Sequence, residues 1–285
     1  MEVYLDCLPC FLRQVLETTR MITNELDVQD KIMQDTIGLV LQYKRYKYSP
    51  ELGRDMHNII KKYTDIADPY KTIKEKSIEL AEDLYPSLKH FLYRKYDNRL
   101  YWALKVSAMG NIIDYAINHH IDIKACIENE LEKEFAINDI ERFEKQFRNA
   151  KTLLIIGDNA GETVFDKVLI EDLLQLKITY AVRSEPIIND ATYEDAYASG
   201  LSEHCNIIST GCNAPGLILE ESSKEFSDIF RHADIVISKG QGNFETLSDV
   251  DREVFFLLKV KCPVVANLVN VDVNEYIFKH SGKIN

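Results

Sequence analysis

Residues 152–162 read Thr152-Leu-Leu-Ile-Ile-Gly-Asp-Asn-Ala-Gly-Glu162. A short apolar run without alternation marks a strand covered on both faces. The glycine turn that follows puts Asp158 and Asn159 at the carboxyl end of that strand, and Glu162 to Gln175 has helical spacing. Further strands are predicted over Ile178–Val182, Asn206–Ser209, Asp234–Ser238 and Val254–Val260. Helices are predicted after Asp190 and before Arg231, while 262–269 reads equally well as helix or strand. Strands alternating with helices predict right-handed βαβ units and a mainly parallel sheet.

Upstream the period changes. Leu8, Phe11, Leu12, Val15 and Leu16 lie at helical spacing, as do Val28, Ile32, Met33, Ile37 and Val40, and then Met56, Ile59, Ile60 and Tyr63. A further helix is predicted from the Asp68-Pro69 turn through Leu84, with Pro86 starting the next, since proline is tolerated in a first turn. The run 99–118 is the most apolar of this half and is predicted to be its central helix, followed by short helices over 123–134 and 137–148. Only Gly38, Gly53 and Gly110 of the 11 glycines fall before residue 150. The predicted fold class is therefore α/β. An all-helical N-terminal region, 1–149, precedes a Rossmann-like, mainly parallel α/β domain, 150–285.

With 285 residues, 46% of them hydrophobic, the chain can bury a full core. Its net charge of −12 opposes a nucleic-acid partner, which needs a basic footprint. No run of 18 apolar residues suggests a membrane span. The start Met1-Glu2-Val3-Tyr4-Leu5-Asp6 lacks the basic and apolar regions of a signal peptide, so a cytoplasmic location is expected. Of six cysteines only Cys7 and Cys10 have pair spacing, and no second pair completes a structural zinc site. Local packing, a redox role and a share in a softer metal site all fit that pair.

In an open α/β sheet, ligands bind beyond the carboxyl ends of the strands. The residues following the predicted strands are Gly157, Asp158, Asn159, Ala160 and Gly161; then Arg183 with Asn189-Asp190; then Thr210 and Gly211; then Lys239, Gly240, Gln241, Gly242 and Asn243; and finally Lys261. Two carboxylates and an amide suit a hard divalent cation that keeps some of its waters. Lysines and glycine-turn N–H groups suit phosphate. Together they describe a metal-assisted phosphoryl site. The turn 157–161 lacks the spacing of a dinucleotide fingerprint. His119 and His120 are adjacent rather than four apart, and no GxSxG elbow is present.

Three segments taken together resemble the damage-control phosphatase family, also called acidic-residue-methyltransferase-like. They are Gly157-Asp-Asn-Ala-Gly-Glu162, Val182-Arg-Ser-Glu-Pro-Ile-Ile-Asn-Asp-Ala-Thr192 and Ser238-Lys-Gly-Gln-Gly-Asn-Phe-Glu245. The segments Cys7-x-x-Cys10, Ala108-Met-Gly-Asn-Ile-Ile-Asp114 and Lys261-Cys-Pro263 fit too, and the cysteine pair points to the stand-alone microbial subfamily. The resemblance implies a helical region beside a Rossmann-like one. It implies that Asp158, Asn159 and Asp190 bind a divalent metal (manganese, magnesium, cobalt or nickel), with Asp158 and Asp190 as the catalytic carboxylates. It further implies phosphate contacts from Lys261 and the turn Gly240-Gln241-Gly242-Asn243, with Lys239 and Arg183 as companion cations. Asn111 and Asp114 would reach the cleft from a capping helix.

The expected activity is metal-dependent hydrolysis of small phosphorylated metabolites such as sugar phosphates. The alternatives are a carboxyl methyltransferase using S-adenosylmethionine, which needs neither metal nor phosphate-binding lysines, and a non-enzymatic metal or metabolite sensor.

Overall fold

The structure is a computed structural model that describes residues 1–113 and 123–282. Three helices open the chain: α1 (Cys7–Ile22), α2 (Leu26–Val40) and α3 (Ser49–Thr64). They close on their own apolar cluster, which contains Val15, Ile32, Leu52, Met56 and Ile60. The start of α3 is set by Pro50 in its first turn and by the Glu51 carboxylate, which accepts from the Tyr48 N–H at 2.9 Å.

Helix α4 (Lys71–Tyr93) runs unbroken through Pro86. The predicted new helix at that proline is thus a continuation: Leu84, Leu88 and Leu92 are all buried on one face, and that packing outweighs one missing backbone hydrogen bond. Helix α5 (Arg99–Met109) is buried from Ala103 to Met109, but the single helix expected over 99–118 is interrupted by a turn at Gly110 and Asn111, and 114–118 lies outside the described residues. Then come α6 (Ile123–Glu132), β1 (Phe135–Asn138) and α7 (Ile140–Phe147). Strand β1 corrects the all-helical reading of the first 149 residues.

The remainder alternates strand with helix, with α11 and β7 added to the elements expected from the sequence: β2 (Thr152–Ile156), α8 (Glu162–Glu171), β3 (Lys177–Val182), α9 (Tyr193–Ala198), β4 (Asn206–Ser209), α10 (Lys224–His232), β5 (Ile235–Lys239), α11 (Gln241–Leu247), β6 (Phe255–Lys259), α12 (Pro263–Val269) and β7 (Tyr276–His280). Cys262 caps α12 with its sulfur, which resolves the ambiguous segment as a helix. The sheet order is β1-β7-β6-β5-β2-β3-β4. Strands β2 to β6 are mutually parallel, β7 runs antiparallel to β6, and β1 lies parallel to β7.

The sheet has a core on each face, which explains the continuous apolar runs. Leu153, Ile155, Ile178, Tyr180 and Phe255 point into one cluster with residues of α4, α5 and α8. Leu154, Ile156, Ala181, Val236 and Phe256 point into the other, with α10, α11 and α12. Helix α8 lies so deep that Glu162 to Ile170 are all buried.

Candidate active site at the switch point

Strand β2 pairs with β3 on one side and β5 on the other. The loops after β2 and β5 therefore lead away from each other, and a crevice opens between them at the carboxyl edge. Gly157 begins the first loop because a Cβ there would stand 2.6 Å from the Tyr180 hydroxyl. Asp158 and Asn159 follow, with Asn159 bridged antiparallel to Asp190. The Ala191 N–H donates to the Asp158 carbonyl at 2.7 Å, and the Ala160 N–H to the Asn189 carbonyl at 2.9 Å. These bonds carry Asp190, 32 positions on in the sequence, to the side of Asp158. Ile188 has φ +46°, a conformation that costs a β-branched residue about 1–3 kcal/mol and that the bridge holds in place.

Both carboxylates are buried. Burial raises the pKa of each, and for Asp190 the neighbouring Asp158 raises it further, while Arg183, Lys239 and Lys261 act in opposition on Asp158. Arg183 Nε donates to Asp190 Oδ2 at 2.7 Å and Nη2 to Asn243 Oδ1 at 2.9 Å, while Nη1 is buried without a hydrogen-bond partner among the described residues. Lys261 is exposed, and its charge acts on Asp158, Glu162 and Asp190.

The turn after β5 works through its backbone and its struts. Gly240 has φ +80°, and a Cβ on it would lie 2.0 Å from Asp158 Oδ2. A Cβ on Gly242 would lie 1.9 Å from the Pro215 carbonyl oxygen. Asn243, expected at the phosphate, is instead fully committed. Its oxygen accepts from Arg183 and from the Leu217 N–H (2.8 Å), and its amide donates to the carbonyls of Gly157 (3.1 Å) and Lys239 (2.8 Å). It ties the carboxyl ends of β2 and β5 together. Gln241 accepts from the Lys261 N–H at 2.9 Å and donates to Glu245 at 2.9 Å.

Lys239 also departs from its expected role. Its ammonium donates to the Ser107 carbonyl (3.0 Å), to Glu162 Oε2 (3.2 Å) and to Asp166 Oδ1. Three N–H groups meet three acceptors inside the protein, so none is left for a substrate. Asp166 also accepts from Ser107 Oγ and, at 2.7 Å, from the Tyr180 hydroxyl. The Glu162 pKa is nevertheless raised, because burial together with Asp158 and Asp166 outweighs Lys239 and Lys261.

Glu162 joins this inner network to the crevice. Its Oε1 accepts from the amides of Asn111 and Asn159, the latter at 2.9 Å. Asn159 also donates to Asn111 Oδ1 at 3.4 Å. Asn111 thus reaches the site by holding Asn159, and Asp114 lies outside the described residues. Glu162 and Asp166 were not among the expected site residues. Their signal was present all the same: two acids four apart on one helix that otherwise reads Val164, Phe165, Val168, Leu169. Among the described residues no three His, Cys, Asp or Glu side chains converge as a metal cluster. The oxygen donors brought together are two carboxylates and the Asn159 amide.

A three-layered doubly wound protein with paired acids, a clamped arginine and a nearby exposed lysine at its switch point belongs among the α/β enzymes that handle anionic ligands. The chain matches the family model of the damage-control phosphatase ARMT1-like domain over residues 3–277, and it belongs to that family. It is similar to a damage-control phosphatase of Pyrococcus horikoshii, 34% identical over 277 residues covering 95% of each chain. It is similar to a damage-control phosphatase of Archaeoglobus fulgidus, 28% identical over 282 residues, with 96% of this chain and 97% of that one covered. An uncharacterised protein of Methanocaldococcus jannaschii is 33% identical over 283 residues, with 95% and 93% covered. The crystal structure of a DUF89 family protein from P. horikoshii superposes with a TM-score of 0.88 at 31% identity, covering 99% of this chain and all of that one. Family and fold agree with the expected phosphatase of metabolite damage control, and the methyltransferase alternative is not favoured.

Proposed function

We propose that this protein is a divalent-metal-dependent phosphatase that hydrolyses monoesters of small phosphorylated metabolites, sugar phosphates among them. The observation that carries this reading is the pairing of Asp158 with Asp190 by the Asn159–Asp190 bridge. Two buried like charges from separate strand ends are held together at a net electrostatic cost, which a cation offsets. Asp158, Asn159 and Asp190 would hold that cation, and their all-oxygen donor set fits manganese or magnesium. When bound there, it supplies Lewis acidity and neutralises phosphoryl charge.

The protein's own groups supply the rest. Glu162 takes the Asn159 amide nitrogen, which turns the side-chain oxygen away from that carboxylate. Arg183 orients Asp190 and has a buried N–H edge left for a phosphoryl oxygen. Lys261 brings an exposed cation to the same carboxylates, suited to a dianion in the crevice.

Among the described residues no helix is long and apolar enough to cross a membrane, and all six cysteines are free. We place the protein in a reducing cytoplasm. The test is release of inorganic phosphate from a panel of sugar phosphates, after chelation and after return of manganese, magnesium, cobalt or nickel. Activity that survives complete chelation would sink the metal assignment, and no release from any monoester would sink the reaction class.

A further inference from the structure

The stretch that carries Asp190 is gripped from outside the sheet. The chain from Pro186 to Thr192 turns through Ile188 at φ +46° and ends as the N-cap of α9. Within it, the Asp190 N–H donates to the Ile187 carbonyl at 3.1 Å, and the Ala191 carbonyl accepts from the Arg183 N–H at 2.9 Å. Two lysines of the helical region hold its ends. Lys61 of α3 donates to the Pro186 carbonyl at 2.5 Å. Lys74 of α4 donates to Asp195 Oδ2 at 2.8 Å and lies 2.8 Å from Asp68 Oδ2. The same Asp195 oxygen accepts from the Thr192 N–H at 2.9 Å and from the Thr192 hydroxyl at 2.7 Å. Thr192 stands two residues after Asp190, so the Lys74 contact passes through one side chain to the segment of the buried acid.

The stretch needs such a grip. A left-handed Ile188 is strained, and the like charge of Asp158 stands beside Asp190, so both effects favour a relaxed chain with the two carboxylates apart. A cleft of about 560 Å³ lies between Ile78 of α4 on one side and Pro186, Thr192 and Asp195 on the other. Lys74 lines that cleft and bridges it with a buried ammonium. Without this cation, Asp68 and Asp195 would face each other as uncompensated acids, and their repulsion would push the cap of α9 away from α4.

We propose that Lys74 and Lys61 are positioning residues of the metal site, which hold the 186–192 stretch so that the Asp190 carboxylate stays beside Asp158 and Asn159. The part that concerns the metal rests on the phosphatase reading, but the placement of the stretch does not, and the test separates them. Lys167 supplies the control. It is buried like Lys74, and its ammonium joins Glu82 of α4 at 2.6 Å to the Ser199 carbonyl at 2.8 Å, at the opposite end of α9 from Thr192.

Wild type, Lys74→Met, Lys74→Arg, Lys61→Met and Lys167→Met are compared by guanidinium unfolding, by manganese titration calorimetry, and by hydrogen exchange of the Asp190 and Ala191 amides in metal-free protein. Manganese affinity should fall about tenfold in Lys74→Met and in Lys61→Met, the scale for losing a group that supports a metal ligand. Exchange at the two amides should quicken about tenfold in the same two variants, as their local opening becomes easier. Lys74→Arg should restore both readings, because it returns a cation between the two acids and the cleft leaves room for a guanidinium. Lys167→Met should lose stability and keep both readings. Wild-type affinity and exchange in Lys74→Met and Lys61→Met overturn the proposal. So does an equal fall in Lys167→Met, which makes the effect one of stability alone. If Lys74→Met does not fold, the comparison of Lys61→Met with Lys167→Met decides. A wild type that binds no manganese defeats the metal reading, and the exchange rates then decide the positioning by themselves.

Discussion

The charged residues of the switch point divide by where their N–H and O groups are directed. Asp158 and Asp190 are held in a like-charged pair, and substitution should separate folding from function. Asp158→Asn and Asp190→Asn are each expected to lower phosphate release by about 10²–10³-fold, the scale of losing one preorganised electrostatic group. Manganese titration should show weakened binding in both, and unchanged affinity in both would remove them from the metal site. For Asp158→Asn the metal-free protein should be at least as stable as wild type, because the substitution relieves repulsion and desolvation of a buried charge. The two lysines should behave in opposite ways. Lys261 is exposed, so Lys261→Ala should cut kcat/KM with metal affinity kept and stability changed by less than about 0.5 kcal/mol. Lys239 is fully buried between two acids, so Lys239→Met should destabilise by about 3–5 kcal/mol in guanidinium titrations, because the acids lose their partner.

The element that decides the site's shape is the turn from β5 into α11. Gly240 is required twice, by its positive φ and by the Asp158 carboxylate pressed against its Cα. Gly240→Ala should cost about 1–3 kcal/mol from backbone strain alone and should also displace Asp158, so activity and metal binding fall together. Gly38 is the contrast: it lies inside α2, nothing stands within 4 Å of an added Cβ, and Gly38→Ala should stabilise by about 0.5–1 kcal/mol. Equal loss of stability in the two alanine variants would show that helix propensity rather than the carboxylate contact governs position 240.

For the whole molecule, acid stability should carry the mark of His57. It is buried on α3 without a hydrogen-bond partner for Nε2 among the described residues, and burial pulls its pKa down from 6.5 to about 4. The folded state therefore resists a proton that the unfolded chain accepts. The contribution is intact above pH 6.5 and is lost as pH falls from there to about 4, amounting to about 3 kcal/mol over the window. His57→Leu should flatten this limb, read as the difference between wild-type and variant unfolding free energies at pH 7 and pH 4. A difference that does not change with pH would mean that His57 is hydrated or charged in the folded protein.

The sequence by itself determined the local alphabet of this protein. Uninterrupted apolar runs such as 152–156 can satisfy their side chains only inside a sheet covered on both faces, so the parallel α/β core was legible. The turn 157–161 and the segment 182–192 were legible as site elements because polar residues after a buried strand have few other uses. Tertiary structure decided what depended on distant partners. Four residues at 135–138 carry too little pattern to mark an edge strand until β7 lies beside them, and Pro86 ends no helix once three leucines pack across it. Lys239 and Asn243 stand in motif positions, yet their hydrogen-bonding capacity is consumed by Asp166, Glu162, Arg183 and two strand-end carbonyls, none of which spacing alone places beside them.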